Sequence, residues 1–171
     1  VDSLYARRHE ECGEALRRLR EREPGLEHLA HADLSLLEFL GDHPLLQRRA
    51  RHVIEEQARV GQCVAALEAG ELARVGDLLF ASHASSRDLF ENSIPELDTF
   101  VELLARMRES GVIGARLSGG GFGGAVMALT TEAFGEDAAG RVLQAYGERH
   151  PESAQPGWLH VRTGPGTRVL D

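Results

Sequence analysis

Up to about residue 107, apolar residues recur at helical spacing. Tyr5, Cys12, Ala15, Leu16 and Leu19 share one face of a segment otherwise rich in arginine and glutamate, which predicts an amphipathic helix from Tyr5 to about Arg20, ended by Pro24 and Gly25. Leu26 to Leu46 reads as two short helices, with Asp33 as N-cap of Leu34 to Leu40 and Gly41 as the stop. A long helix from about Leu46 to Ala69 follows, its inward stripe Val53, Gln57, Val60, Val64 and Leu67, closed by Gly70. The next, Glu71 to about Phe90, turns Leu72, Val75, Leu79 and Ser82 inward with Leu78 alongside. Ser93 and Glu96 have capping-box spacing and Pro95 suits a first turn, so a helix from Ile94 to Met107 is expected with Leu97, Phe100, Val101 and Leu104 as its stripe and Gly111 as its end.

The pattern then changes period. Val112 to Leu117 and Ala125 to Thr130 are short apolar runs that read as buried strands, and Thr131 is placed to cap a helix to about Tyr146. Trp158 to Arg162 and Thr167 to Leu170 read as terminal strands about the turn Thr163-Gly164-Pro165-Gly166. Helices first and a strand–strand–helix–strand–strand segment afterwards predict an α+β domain over residues 1–171, with a mostly antiparallel sheet of about four strands.

Between the first two strands lies Ser118-Gly119-Gly120-Gly121-Phe122-Gly123-Gly124, in which five of seven residues are glycine. Each glycine costs roughly 0.5–1 kcal/mol relative to alanine on ordering, so the run implies a need for bare backbone. Two uses fit. One is a tight hairpin or bulge that serves packing; the other is a set of unscreened N–H groups for an anion, with phosphate the obvious guest. It is not a Walker loop, because no Gly-Lys-Ser/Thr follows and a strand rather than a helix comes next. The Gly119-x-Gly121-x-x-Gly124 spacing of a dinucleotide fingerprint is discarded, since no acidic residue follows on a strand end.

Composition narrows the partners. The 171 residues carry 27 acidic against 19 basic side chains, a formal charge of −8 without a dense basic stripe, so nucleic acid is not expected. Arg17-Arg18 and Arg48-Arg49 read as solvated helix faces. No apolar run is long enough for a membrane, and Val1-Asp2-Ser3 does not open a signal peptide, so a cytoplasmic protein without membrane contact is expected. Cys12 and Cys63, on separate helices, suit reduced buried thiols. His28-x-x-His31 lacks a third ligand, and no metal site is expected on this chain.

Three segments together resemble one family. Tyr5-Ala6-Arg7-Arg8-His9-Glu10-Glu11-Cys12 is similar to the Y-x-x-R-R-x-E-C segment of galactokinases, and Ser82 to Asp88 through Ser93 to Asp98 to their S-H-x-S-x-R-D…P-E-L-D segment. Gly114 to Gly124 resembles the third signature motif of the GHMP kinases, which include galactokinase, homoserine kinase, mevalonate kinase and phosphomevalonate kinase. Arg49 to Glu56 and Gly166 to Leu170 also have galactokinase counterparts, so the likeness runs along essentially the whole chain.

The resemblance implies the C-terminal, ferredoxin-like lobe of a two-lobed kinase that moves the γ-phosphate of ATP to the anomeric hydroxyl of galactose. The other lobe, with the G-E-H-x-D and G-G-G-L-S-S-S-A segments, the catalytic aspartate and arginine and the ligands of Mg2+, is expected to be missing. None of those strings occurs, and the chain opens on valine, as a fragment would. By the same resemblance Ser118, Gly119, Gly120, Gly121, Gly123 and Gly124 lie on the phosphate side of the nucleotide cleft or support the other lobe's loop, and Tyr5 binds the sugar. Phe122 is expected to pack. Arg7, Arg8, Glu10 and Glu11 read as an exposed face and stay unassigned. His83 and Asp88 are expected to cap or hydrogen-bond, while Arg87 and Arg116 are left between phosphate attraction and pairing with acids.

Ser86, Leu89-Phe90, Ile94 and Ala125 depart from the galactokinase pattern of leucine, aspartate-tyrosine, cysteine and cysteine. These keep N-acetylgalactosamine and arabinose open as alternative sugars. A non-catalytic sugar-sensing relative and a plain interaction domain are the rival classes. A lobe without its neighbour is expected to be inactive alone and to expose apolar surface, with weak self-association.

Overall fold

A computed structural model describes residues 3–164. Its regular elements are α1 (Leu4–Leu19), α2 (Pro44–Glu68), α3 (Leu72–Ser85), α4 (Pro95–Ala105), β1 (Val112–Ser118), β2 (Ala125–Thr130) and α5 (Glu136–Arg149). A 3-10 turn at Leu29–His31 and a 3-10 helix at Leu34–Leu40 join α1 to α2, and a π-helical turn, Ser86–Phe90, extends α3. Ser3 caps α1 by accepting from the Ala6 N–H, and Asp33 accepts from the Ser35 N–H as its residue type predicts.

Two apolar clusters form the core. Ala15 and Leu19 of α1 meet Ala50 and Ile54 of α2 over Leu26, Leu29, Leu37 and Leu40 of the connecting turns. Val101 and Leu104 of α4 and Val142 and Tyr146 of α5 close over Val112 and Ala115 of β1. β1 and β2 pair antiparallel from Val112↔Thr130 to Ser118↔Ala125, so the glycine stretch is the turn of a hairpin. The two layers meet where α3 lies directly on β1. A Cβ on Gly76 would sit 2.0 Å from the Ile113 carbonyl oxygen, and one on Gly114 would sit 2.5 Å from the Gly76 Cα. Only two glycines admit backbone-to-backbone contact at that distance.

Several expectations need correction. The described residues hold a two-stranded sheet, not one of about four strands. Among the described residues Trp158 to Arg162 joins no ladder, and Leu159 and Val161 are 83% and 71% exposed; alternation alone does not make a strand. The Thr167 to Leu170 strand lies outside the described residues. On α2 the inward face is Arg49, Ala50, His52 and Ile54, while Val60, Val64 and Leu67 face outward, and so does Leu72 on α3. The second half of α2 buries Ala66 on its other face, so the Val60, Val64 and Leu67 stripe is turned away from the core. The helix after Gly70 stops at Ser85 rather than Phe90, because the next turn widens into the π form. The capping box is not made: Ile94 is the N-cap of α4, and the Ser93 hydroxyl donates instead to Asp98 at 2.5 Å. Thr131 accepts from the Ala133 N–H and caps only a turn; α5 starts after Gly135. Among the described residues no helix is long and apolar enough to cross a membrane.

Candidate functional site

The glycine turn stands open at the end of the hairpin. Ser118, Gly119, Gly120 and Gly124 are exposed, and Gly121, Phe122 and Gly123 are half-buried. Gly121 explains why the bend is bare: its φ is +83°, and a Cβ there would lie 2.1 Å from the Asn92 carbonyl oxygen. Phe122, at φ +59°, adopts the same left-handed backbone without a glycine's freedom.

Tyr5, on the first turn of α1, reaches this site. Its ring lies 3.4–3.6 Å from where a Cβ on Gly120 would be, and the residue is 64% exposed. The phenol therefore rests on the glycine backbone with most of its surface free, and the fold joins Tyr5 and the turn across the length of the sequence. One helical turn further along α1, the Arg8 guanidinium lies 5.7 Å from the centre of the Phe122 ring. Phe122 is thus a packing residue on α1, as expected.

Arg8 is not the exposed residue its spacing suggested. It is buried, donates to the Phe90 carbonyl at 2.6 Å and the Glu91 carbonyl at 2.9 Å, and pairs with the buried Glu11 at 3.1 Å. Arg49 of α2, read as part of a solvated face, is 1% exposed. It donates to Glu11 at 2.6 Å, the Leu89 carbonyl at 2.5 Å and Glu91 at 2.8 Å. Burial pushes the Glu11 carboxyl up, but Arg49, Arg8 and Arg7 outweigh it and hold it below the usual carboxylate range. Charges this deep persist because each is paired and hydrogen-bonded. Together the two arginines fix the π turn and Glu91, whose φ of +54° brings Asn92 round to the glycine turn. There the Asn92 carbonyl accepts from the Phe122 N–H at 2.7 Å, and its side-chain amide donates to the Gly120 carbonyl at 3.1 Å.

The remaining candidates are also placed. His83 is buried behind β1: its Nδ1 accepts from the Leu117 N–H at 3.3 Å and its Nε2 faces Asp98 at 3.2 Å. Burial lowers its pKa against the pull of Asp98. This is the hydrogen-bonding role expected of it. Asp88 pairs at the surface with Arg87 at 2.7 Å. Arg116 lies 3.6 Å from Glu56, so both open arginines have acidic neighbours. Burial raises the Cys12 thiol to about 11, which leaves it protonated and unreactive near neutral pH.

Sequence reasoning passed over Arg8, Glu11, Arg49, Glu91 and Asn92. Arg49 had a signal, since it precedes Val53 by one helical turn and so puts a charge on an apolar face. Asn92 had none.

The chain is thus an α+β unit whose glycine hairpin is backed by packed helices, and residues 63–151 match the family described as GHMP kinases C terminal. The chain belongs to this family. It is 43% identical over 135 residues to the galactokinase of Thermotoga maritima, a match covering 78% of this chain and 36% of the relative. It is 40% identical over 135 residues to the galactokinase of Halalkalibacterium halodurans, covering 77% and 34%. The crystal structure of Lactococcus lactis galactokinase complexed with galactose superimposes with a TM-score of 0.80 at 35% identity, over 88% of this chain and 39% of that one. The matched part spans between a third and two fifths of these galactokinases.

Proposed function

We propose that this chain is the C-terminal lobe of a galactokinase-like enzyme that transfers the γ-phosphate of ATP to the anomeric hydroxyl of galactose. One observation carries the reading: an exposed tyrosine and an open turn of bare N–H groups meet at Gly120, so a polyol and a phosphate have neighbouring places on one face. Phosphoryl transfer asks chiefly for positioning and charge stabilisation, and both fit what these residues offer.

In this reading Ser118, Gly119, Gly120, Gly121, Gly123 and Gly124 form the phosphate-side turn, and Tyr5 hydrogen-bonds the sugar through its hydroxyl. When bound, Mg2+ neutralises charge on the phosphates. Its ligands and the catalytic groups are assigned, by the family resemblance, to the part of the enzyme beyond this chain. The outward stripe Val60, Val64 and Leu67 supports that division, because it leaves apolar surface for a neighbour to cover. A cytoplasmic location, and weak self-association of the lobe on its own, belong to the same proposal.

Coupled ADP release tests it, with galactose, N-acetylgalactosamine and arabinose, on the complete polypeptide and on this chain alone. Turnover of galactose by the former and background by the latter is expected. Activity of the isolated chain overturns the division of labour, and sugar binding without turnover by the complete polypeptide favours a sensing relative.

A further inference from the structure

Asn92 is more than nine-tenths buried, yet its side-chain oxygen has no hydrogen-bond partner. A valine would fill the same space without an orphaned acceptor, so packing alone does not account for an amide here. What the amide does is donate to the Gly120 carbonyl, and rotating it would set oxygen against oxygen. The backbone around it is strained on both sides. Among the described residues, Glu91 and Phe122 are the two non-glycine residues with positive φ; one precedes Asn92 in the chain, and the other donates its N–H to the Asn92 carbonyl. Such conformations persist only where neighbours over-determine them. Here the neighbours are Arg8 and Arg49, which grip the carbonyls of residues 89–91.

From this geometry we propose that Asn92 is the positioning residue of the glycine turn, holding Gly120 and Phe122 at the height where the turn supports the Tyr5 ring and presents its N–H groups. That the turn faces phosphate rests on the function proposed above; that Asn92 holds the turn does not.

Two variants test it. In Asn92→Val the donor is gone, and the hydrogen-exchange protection factor of the Phe122 amide in this chain is expected to fall at least tenfold, while amides in the α1–α2 core change only with global stability. In Asn92→Asp a carboxylate opposes the Gly120 carbonyl, but a carboxylic acid donates to it. Protection at Phe122, taken relative to the valine variant at the same pH, should therefore recover in this variant as pH falls from 7 through the ordinary aspartate value of about 4. The nearby charged and titratable groups, Arg8 over Phe122, Glu11 paired with Arg8 and Arg49, Glu91 held by Arg48 and Arg49, and His52 stacked on Phe90, together with Tyr5 on Gly120, are common to both proteins and cancel in the comparison. Unchanged Phe122 protection in the valine variant, or an aspartate variant without pH dependence, overturns the assignment. In the complete enzyme the valine variant should raise KM for ATP at least fivefold with a smaller change in KM for the sugar. A loosened turn with unaltered ATP KM would uphold Asn92 and remove the phosphate-side reading instead.

Discussion

Gly119 and Gly121 share a positive φ, +84° and +83°, and differ sharply in their surroundings. Replacing each by alanine separates two contributions. Nothing lies within 4 Å of a Cβ added at Gly119, so Gly119→Ala bears only the left-handed backbone. That costs about 1–2 kcal/mol. At Gly121 the new carbon would meet the Asn92 carbonyl oxygen at 2.1 Å and its side-chain nitrogen at 2.8 Å, and a backbone oxygen cannot swing aside. The turn must lift, giving up the bonds from the Phe122 N–H and to the Gly120 carbonyl. At about 0.5–1.5 kcal/mol each, these bring the expected loss in Gly121→Ala to roughly 2–5 kcal/mol. Urea unfolding of this chain followed by far-UV circular dichroism measures both variants directly. Equal losses, or a larger loss at Gly119, would refute the argument that contact with Asn92 shapes the turn.

Two further outcomes follow from the buried groups. His52, stacked on Phe90 with its Nδ1 at 2.8 Å from the Ser85 hydroxyl, has its pKa lowered by burial from 6.5 to about 4. The unfolded chain therefore binds the extra proton between those values, so the contribution is complete above pH 6.5 and is lost as pH falls, by about 2.5 kcal/mol between pH 7.5 and 4.5. His52→Gln should remove that part of the slope in urea unfolding, and parallel pH curves for the two proteins would count against it. Arg49→Met leaves Glu11 and Glu91 without their innermost partner and is expected to destabilise by about 3–5 kcal/mol. Adding Glu11→Gln should return part of the loss, and a single-variant loss under about 1 kcal/mol would contradict a structural role for the pair.

Much of the fold was legible because it is local. The apolar stripes of α1 and α4, the Asp33 cap, Pro95 at a helix start and the two strands around the glycines all depend on residues a few positions apart. The errors fall where distant partners decide. Ser93 has the spacing of a capping box, but α4 starts one residue later, with Ile94 at its N-cap, and the Ser93 hydroxyl donates to Asp98. Trp158 to Arg162 alternates like a strand and pairs with no backbone among the described residues. Val60, Val64 and Leu67 repeat like a core stripe, yet α2 turns Ala66 inward at that level and leaves them outside.

The sequence by itself determined that bare backbone is concentrated at one bend between two strands, and its resemblance to galactokinases raised the expectation that Tyr5 serves the same site. Tertiary structure alone decided that the tyrosine rests on Gly120, that Arg8 and Arg49 are buried ions rather than surface charge, and that Asn92 ties the turn down. The reason lies in the range of the forces. Backbone propensity and periodicity act over a few residues, whereas a buried arginine's partners are set by which distant carbonyls and carboxylates the packed helices bring within about 3 Å of it.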